Sequence, residues 1–373
     1  MMRYFCSLML LTLLAVPAWA KTVRIWVLNY DDGSVSVIDP DTDKVVQTID
    51  GIPRPHGVVF APDGSRAYIS SENSEHLLYV VDTKMGKIIK KVLLSGRPNL
   101  PAISPDGKRV FVCIRQPGMP ESSADALAHN YHQDDSARIA TTLGAIDIVD
   151  TSSLSVRTMP MPYPLHDCYT SPDGNYLAAG SAEGKTLYVI NLTTEQFEFT
   201  VPFDRAVETM AFAPGPEVFP GFIYVVLEGY RGFAVVDFIK HKEINRVEFP
   251  PQPSNLESKN PHFGPEDVHG IIISPDARTL YIGVPGGDMI YAYSLPMPKL
   301  LGYAAVPVLP DPGNTGYDWA DPSWIAVTPD GKQIWSFLRD SGSVSKIDTA
   351  TMKEVDRIKV GQDPSRGGVL VIP

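Results

Sequence analysis

Hydrophobic and polar residues alternate with a period of two along most of the chain, in short segments separated by turn residues. Residues 57–94 show the pattern clearly as GVVFA, PDG, RAYISS, ENSEH, LLYVVD, TKMG and KIIKKVLL. Alternation over a few residues, interrupted by Gly, Pro, Asn and Asp, is typical of antiparallel strands joined by tight turns. This segment therefore predicts one four-stranded antiparallel sheet.

The same unit recurs along the whole chain. A turn of the form xPDG or a relative marks six copies, at Pro62, Pro105, Pro172, Pro214, Pro275 and Pro329, and a seventh copy, PSRGGVLVIP, ends at Pro373. The intervals between these prolines are 43, 67, 42, 61, 54 and 44 residues, which indicates a unit of about 43 residues with three insertions. Such a period with four strands per unit is typical of a β-propeller.

The two ends of the chain supply one incomplete unit each. RIWVLNY, SVSVIDP and KVVQTID near the N-terminus predict three strands, and RGGVLVI at the C-terminus predicts the missing innermost one. Pairing them would close the ring and leave no unpaired sheet ends. The sequence therefore predicts an all-β fold, a seven-bladed β-propeller closed by N-terminal strands B, C and D pairing with the C-terminal A strand. The turns at Pro214 (APGP) and Pro275 (SPDA) depart from PDG, so we expect their strands but not necessarily the same turn geometry.

One segment carries a family resemblance. WVLNYDDGSVSVIDPDTDKVVQTIDGIPRPHGVVFAPDGSRAYIS resembles the YVTN-type repeat of secreted or periplasmic seven-bladed propellers, within the lactonase- and quinoprotein-like propeller superfamily. The resemblance covers essentially all of residues 21–373. It implies a propeller fold, but such propellers include binding proteins, lactonases, lyases and oxidoreductase subunits, so it implies no single activity.

The first twenty residues read as a signal peptide. Arg3 precedes the apolar run FCSLMLLTLLAVP, and Ala18 and Ala20 form an A-x-A-type cleavage site. We therefore expect residues 21–373 to form a single propeller domain that is periplasmic or secreted. No later apolar stretch approaches the roughly 20 residues of a membrane-spanning helix, so no membrane span is expected.

Charge and cysteine content narrow the range of partners. The formal net charge is −11 and we find no local basic patch, so a nucleic acid partner is not expected. Cys113 and Cys168 could form one disulfide bond, although small buried core residues are the favoured interpretation. The chain lacks CxxCH, G-x-S-x-G, Walker and dinucleotide-binding motifs, so haem and nucleotide cofactors are not expected.

The three insertions map to one face of the ring. When the strands of a blade are labelled A to D from the axis outward, the B-to-C and D-to-A connections lie on the same face because neighbouring strands are antiparallel. The insertions at residues 117–143, 250–267 and 309–321 fall in these connections, so we call this side the insertion face. Seven of the eight histidines, all except His241, also map to it. We therefore expect a small-molecule or protein partner at this face.

One position recurs at the start of the predicted A strands, six residues before each turn proline. We call it the mouth column, and its members are His56, Asn99, His166, Glu208, His269, Ser323 and, in the irregular seventh copy, Ser365. Three imidazoles with an open position form a ligand set for zinc, copper or iron, with Glu208 as a candidate base. Duplication that preserved structural histidines, or metal-free proton abstraction by a histidine, would explain the same pattern.

Other candidates lie in the insertions. His129 and His132 have a His-x-x-His spacing that suits a metal, and Tyr317 and Trp319 could wall a ligand pocket with Asn99. The sequence as a whole favours an exported propeller that binds a small ligand, a metal or a partner protein near its central channel. A metal-dependent enzyme with a three-histidine site, similar to propeller lactonases, lyases or oxygenases, is one alternative. A non-catalytic subunit of a periplasmic dehydrogenase is another.

Overall fold

The computed structural model describes residues 21–117, 144–214, 220–253, 264, 267–307 and 320–372. In this part of the chain, 28 strands form seven four-stranded antiparallel sheets, accompanied by a short 3-10 turn at Pro285–Gly287. The sheets are the blades of a ring, which confirms the predicted all-β, seven-bladed propeller. The predicted signal peptide lies outside the described residues and stays a prediction.

The strands follow the chain in regular order. They are β1 (Thr22–Asn29), β2 (Ser34–Asp39), β3 (Lys44–Asp50), β4 (Pro55–Phe60), β5 (Arg66–Ser71), β6 (Leu77–Asp82), β7 (Lys87–Leu93), β8 (Gly96–Ile103), β9 (Arg109–Pro117), β10 (Gly144–Asp150), β11 (Val156–Met161), β12 (Cys168–Thr170), β13 (Tyr176–Ser181), β14 (Thr186–Asn191), β15 (Gln196–Pro202), β16 (Val207–Ala213), β17 (Phe222–Leu227), β18 (Gly232–Asp237), β19 (Lys242–Glu248), β20 (Ile271–Ile273), β21 (Thr279–Val284), β22 (Met289–Ser294), β23 (Leu300–Ala305), β24 (Pro322–Val327), β25 (Gln333–Leu338), β26 (Ser343–Asp348), β27 (Lys353–Lys359) and β28 (Pro364–Ile372). Blades I to VI are formed by consecutive groups of four strands from β4 to β27, and blade VII has the order β28-β1-β2-β3.

The ring is closed by the two ends of the described chain. Strand β28 pairs with β1 in an antiparallel register that runs from Thr22 opposite Ile372 to Asn29 opposite Pro364. Strand β28 is therefore the innermost strand of blade VII, and the strands that neighbour it across the blade boundaries are β4 and β24. The predicted closure by both termini is confirmed.

The apolar core lies between the blades rather than at the axis. Seven clusters of buried apolar side chains each join two adjacent blades, so that every blade boundary has one cluster. At the boundary of blades VII and I, for example, Trp26 and Leu28 pack with Ile69 and Val81. Because these clusters supply the hydrophobic stabilisation, at about 1.5 to 3 kcal/mol per buried large side chain, the innermost strands are free to carry polar residues.

Two further features bear on the sequence predictions. Cys113 in β9 and Cys168 in β12 are buried in the cluster between blades II and III and are not joined by a disulfide bond. Among the described residues, none belongs to a helix that is long and apolar enough to cross a membrane.

The turn at Pro275 keeps the geometry of the PDG turns in spite of its different sequence. Asp276 accepts a hydrogen bond from the Arg278 amide, as Asp330 does from the Lys332 amide in the TPDG copy. The glycine position of the turn is Ala277, whose φ of 58° lies in the left-handed region. A residue with a Cβ in this region costs about 1 to 2 kcal/mol. The turn residues that follow Pro214 lie outside the described residues.

We expect the substitution Ala277→Gly to raise the free energy of unfolding by about 1 kcal/mol, because glycine adopts positive φ without the steric cost of a Cβ. The matched control is Gly331→Ala, at the equivalent position with φ of 71°, where the nearest atom to a new Cβ would be 3.6 Å away. That variant should lose a similar amount. Urea unfolding of both variants measures the difference, and a neutral or destabilising Ala277→Gly would contradict this account of the turn.

Candidate functional site

The innermost strand of every blade has a β-bulge at its start, on the insertion face. In five blades the register of the A and B strands shifts there, between Pro55 and Gly57, Pro98 and Pro101, Val207 and Met210, Pro322 and Trp324, and Pro364 and Arg366. In blades III and V one glycine faces two successive residues. The backbone of Gly180 forms hydrogen bonds with both His166 and Asp167, and the backbone of Gly283 forms them with both His269 and Gly270.

The mouth column coincides with these bulges, since each of its seven members lies within one. A bulge inserts one extra residue and re-aims its side chain, so it interrupts the strict alternation of a strand. As a result, the residue that follows a column position can also join the channel. Asp167, after His166, and Arg366, after Ser365, both do so.

An ion pair between Arg366 and Asp167 joins blades VII and III, which are three steps apart in the ring. The distance between Arg366 Nη1 and Asp167 Oδ2 is 3.1 Å, and the two residues are only 2% and 0% exposed. The guanidinium group also packs over Trp324, 4.3 Å from the ring centre. Because the pair is buried, each charge depends on its partner, and removing one of them leaves an uncompensated charge.

Glu72 forms the second centre of charge. It is the first residue after β5, in a connection on the insertion face, and it accepts hydrogen bonds from Arg97 Nη2 at 3.1 Å and the Tyr30 hydroxyl at 3.3 Å. Arg115 Nη1 and His56 Nε2 each lie 3.8 Å from its other oxygen. Burial raises the pKa of Glu72, but the neighbouring guanidinium groups outweigh that effect and hold the pKa below its usual value. Glu72 is therefore a carboxylate.

The three histidines of the column lie in the same region and are neutral. The rings of His166 and His269 pack edge to face with centroids 6.1 Å apart. Burial lowers the pKa of His269 to about 3. Burial and the charges of Arg366 and Arg115 lower the pKa of His56 and His166 well below the usual value. These imidazoles are therefore neutral at neutral pH and can accept a hydrogen bond.

Each of the three imidazoles has its own protein neighbour. His269 Nδ1 donates to the Ser323 carbonyl at 3.1 Å, His166 Nδ1 lies 3.5 Å from Asp167, and His56 contacts Glu72. Within the described ranges, no group of three or more His, Cys, Asp or Glu side chains is arranged to hold a metal ion. Metal binding by this column stays a prediction.

Glu208, the column residue of blade IV, differs from Glu72 because its pKa is raised rather than lowered. Burial, together with the nearby carboxylates of Glu228, Asp167 and Asp267, raises its pKa to about 8. It is therefore mostly protonated at pH 7 and can donate a hydrogen bond or a proton.

Asn99 is fully buried at the bulge of β8, and neither its amide nitrogen nor its amide oxygen has a hydrogen-bond partner. His56 Nδ1, Glu72 Oε1 and Asp167 Oδ1 are likewise buried without a hydrogen-bond partner. Unsatisfied buried polar atoms are rare in proteins and cost about 1 to 3 kcal/mol each, so several at one place point to a site that binds polar groups from outside the chain.

We call this set of side chains the mouth cluster. Its members are Tyr30, His56, Glu72, Arg97, Asn99, Arg115, His166, Asp167, Glu208, His269 and Arg366. The sequence predicted His56, Asn99, His166, Glu208 and His269, but it missed the other six. Of the remaining candidates, His129, His132, Tyr317 and Trp319 lie outside the described residues.

Two cavities lie on the same face as the mouth cluster. One has a volume of about 450 Å³ and is lined by Tyr30, Arg54 and neighbouring residues of blade VII. The other, of about 720 Å³, is lined by residues that include Glu183, Arg205 and Glu228. Both are formed by B-to-C and D-to-A connections, and Tyr30 is the one member of the mouth cluster that lines either of them.

Comparison with known proteins supports the propeller fold and does not identify a family or an activity. No model of a protein family matches the chain. Antigen Lp49 of Leptospira interrogans is 26% identical over 159 residues, which cover 39% of this chain and 29% of that protein, so the chain spans less than a third of its relative's length.

Two solved structures show the same architecture. A protein of Bacteroides uniformis described as a candidate 6-phosphogluconolactonase has 15% identity and a TM-score of 0.66, and the match covers 94% of this chain and 99% of that one. Hydrazine synthase of Kuenenia stuttgartiensis also has 15% identity, with a TM-score of 0.63 and coverage of 84% and 89%. At this level of identity both structures show that the chain is a propeller, and the YVTN resemblance stays a prediction.

We expect Arg366→Met to lower the free energy of unfolding by about 3 to 5 kcal/mol, because it leaves the Asp167 carboxylate buried without a counter-charge. The double variant Arg366→Met, Asp167→Leu should recover most of this loss, since it removes both charges. Urea unfolding of the two single variants and the double variant gives the coupling energy. Simple additivity of the single-variant effects would contradict the pairing.

We also expect Glu208→Gln to stabilise the protein in a pH-dependent way. The folded-state pKa of about 8 lies above the usual value of 4.5, so the contribution of Glu208 to stability is full below pH 4.5 and is lost as the pH rises through 8. The variant should therefore gain stability at pH 9 and little at pH 4, because at pH 9 the wild type must keep an ionised carboxylate in a buried position. Thermal unfolding across this range measures the effect. The exposed residue Glu248 provides the control, and equal profiles for Glu208→Gln and Glu248→Gln would contradict the shift.

Proposed function

We propose that this protein is an exported propeller that binds a small polar ligand in the mouth cluster, on the insertion face. We also propose that it belongs among the YVTN-type secreted or periplasmic propellers, on the basis of its repeat sequence and its signal-like N-terminus. The observation that carries the binding proposal is the group of buried polar atoms without protein partners, which includes both amide atoms of Asn99.

The composition of the cluster supports binding of a polar rather than an apolar molecule. Charged and hydrogen-bonding groups from blades I, II, III, IV, V and VII meet there, whereas the apolar side chains are used between the blades. A ligand at this place would contact residues from most of the ring at once. Its affinity would therefore depend on the bulged strands being held in one fixed arrangement.

A second candidate function is hydrolysis, favoured by one observation. A protonated Glu208 in the same cluster as neutral imidazoles resembles the separated acid and base that enzymes use for proton transfer. The Bacteroides uniformis neighbour is described as a candidate lactonase. In a lactone hydrolysis, a histidine would accept a proton from the attacking water and Glu208 would protonate the ring oxygen as the carbon–oxygen bond breaks.

The binding proposal is tested by thermal shift with a panel of sugars, polyols, amino acids, carboxylates and phosphates at millimolar concentration. We expect at least one class to raise the melting temperature, because a ligand at a hundred times its Kd adds about 2.7 kcal/mol. The shift should disappear in Asn99→Leu. It should persist in Asn175→Leu, which changes an exposed asparagine on the opposite face. No shift for any compound, or an equal shift in Asn99→Leu, would reject the proposal.

The hydrolytic candidate is tested separately, with δ-gluconolactone as the substrate. If Glu208 is the general acid, Glu208→Gln should lower the enzymatic rate by about a hundredfold or more, while Glu248→Gln leaves it unchanged. Equal rates in the two variants, or no rate above the uncatalysed reaction, would reject the hydrolytic candidate and leave only the binding proposal.

A further inference from the structure

We propose that the ligand of the mouth cluster is a small hydroxylated monocarboxylate, held by Arg366 and Arg115 through its carboxylate and by Asn99 and its neighbours through its hydroxyl groups. This inference rests on the proposed function and specifies the chemistry of its ligand. It is carried by the charges and the hydrogen-bonding atoms of the cluster.

The charge balance of the cluster favours one negative charge. Arg97, Arg115 and Arg366 supply three positive charges, and the carboxylates of Glu72 and Asp167 supply two negative ones. The imidazoles are neutral, and Glu208 is mostly protonated at pH 7. The balance is therefore one positive charge, which a single carboxylate would neutralise.

Arg366 and Arg115 have N–H donors beyond those used in their ion pairs. A guanidinium group carries five N–H bonds, and among the described residues Arg366 donates one of them, to Asp167. Arg115 contacts Glu72 at 3.8 Å, and its side chain is 47% exposed, so that it is accessible from solvent. Guanidinium groups bind carboxylates through two parallel hydrogen bonds, which gives them both strength and direction.

The unpartnered acceptors account for the hydroxyl groups. Glu72 Oε1, Asp167 Oδ1 and Asn99 Oδ1 are buried acceptors without a hydrogen-bond donor. A carboxylate has no proton to offer them, whereas a hydroxyl group can donate to an acceptor and accept from an N–H at the same time. A ligand with both groups would satisfy the cluster better than either group alone.

The surroundings disfavour a doubly charged ligand. The connections of the insertion face that border the cluster carry more acidic than basic residues, namely Asp31, Asp32, Glu183, Glu228 and Asp267 against Arg54, Lys185 and Arg205. A phosphate dianion would reverse the charge of the cluster and face this acidic rim. Like-charge contacts of this kind select against such partners.

The test is isothermal titration calorimetry in a buffer free of carboxylates and phosphate. The probes are D-gluconate, sorbitol as the uncharged polyol with six carbons, acetate as a carboxylate without hydroxyl groups, and inorganic phosphate. We expect gluconate to bind most tightly, with the three other probes at least tenfold weaker. Arg115→Met should weaken gluconate binding by about tenfold to a hundredfold, the effect of losing hydrogen bonds to a charged group.

Arg115 is chosen because it is half-exposed, whereas loss of the buried Arg366 would also affect folding. The matched control is Arg205→Met, which removes an exposed arginine of the same face that bonds the carbonyls of Glu228 and Gly229. It should leave the gluconate affinity within twofold of the wild type. Equal losses in Arg115→Met and Arg205→Met would overturn the assignment of the carboxylate to the cluster.

The remaining outcomes separate this inference from the proposed function. Tight sorbitol binding that is lost in Asn99→Leu would keep the binding site and overturn the carboxylate. Phosphate binding tighter than gluconate would overturn the preference for a single charge. If none of the four probes binds but the wider panel yields a ligand that depends on Asn99, only the present inference fails. If the panel also yields none, both fail.

Discussion

The candidate site depends on the β-bulge at the start of each innermost strand. In a regular innermost strand, alternate side chains point towards the two neighbouring blades, as Val58 and Val59 of β4 do, and neither set is directed at the channel. The extra residue in each bulge interrupts this alternation at the start of the innermost strand, at the same level in all seven blades. Successive residues such as His166 and Asp167 can then take part in one polar cluster.

The mouth cluster brings together charged side chains that could not be buried without a partner of opposite charge. The Asp167 carboxylate has Arg366 as its counter-charge, and Glu72 has Arg97 and Arg115. Arg366 lies in β28, so its ion pair with Asp167 forms only when β28 takes its place in blade VII, whereas Glu72 and its arginine partners belong to the adjacent blades I and II. Ring closure therefore completes the site. The hydrophobic clusters between the blades provide the stability that allows the channel to stay polar.

The fold could be predicted from the sequence because the repeat encodes the same four-stranded unit seven times. Turn spacing alone predicted the strands and the closure of the ring, and it placed the mouth column at one level of the structure. Asp167 and Arg366 were not, because period-two alternation assigns the residue after a column position to the other side of the strand. Glu72 and Tyr30 were missed because they begin connections between B and C strands, where no periodicity points to the axis. The electrostatics of Glu208 depend on Glu228 and Asp267, which only the fold brings near it.

The most direct test of the central claim is a high-resolution crystal structure of the protein grown with gluconate. The account predicts one molecule in the mouth cluster, with its carboxylate against Arg366 and Arg115 and a hydroxyl group within hydrogen-bond distance of Asn99. A molecule bound to the opposite face, or a cluster in which protein atoms alone satisfy Asn99, Glu72 and Asp167, would contradict it.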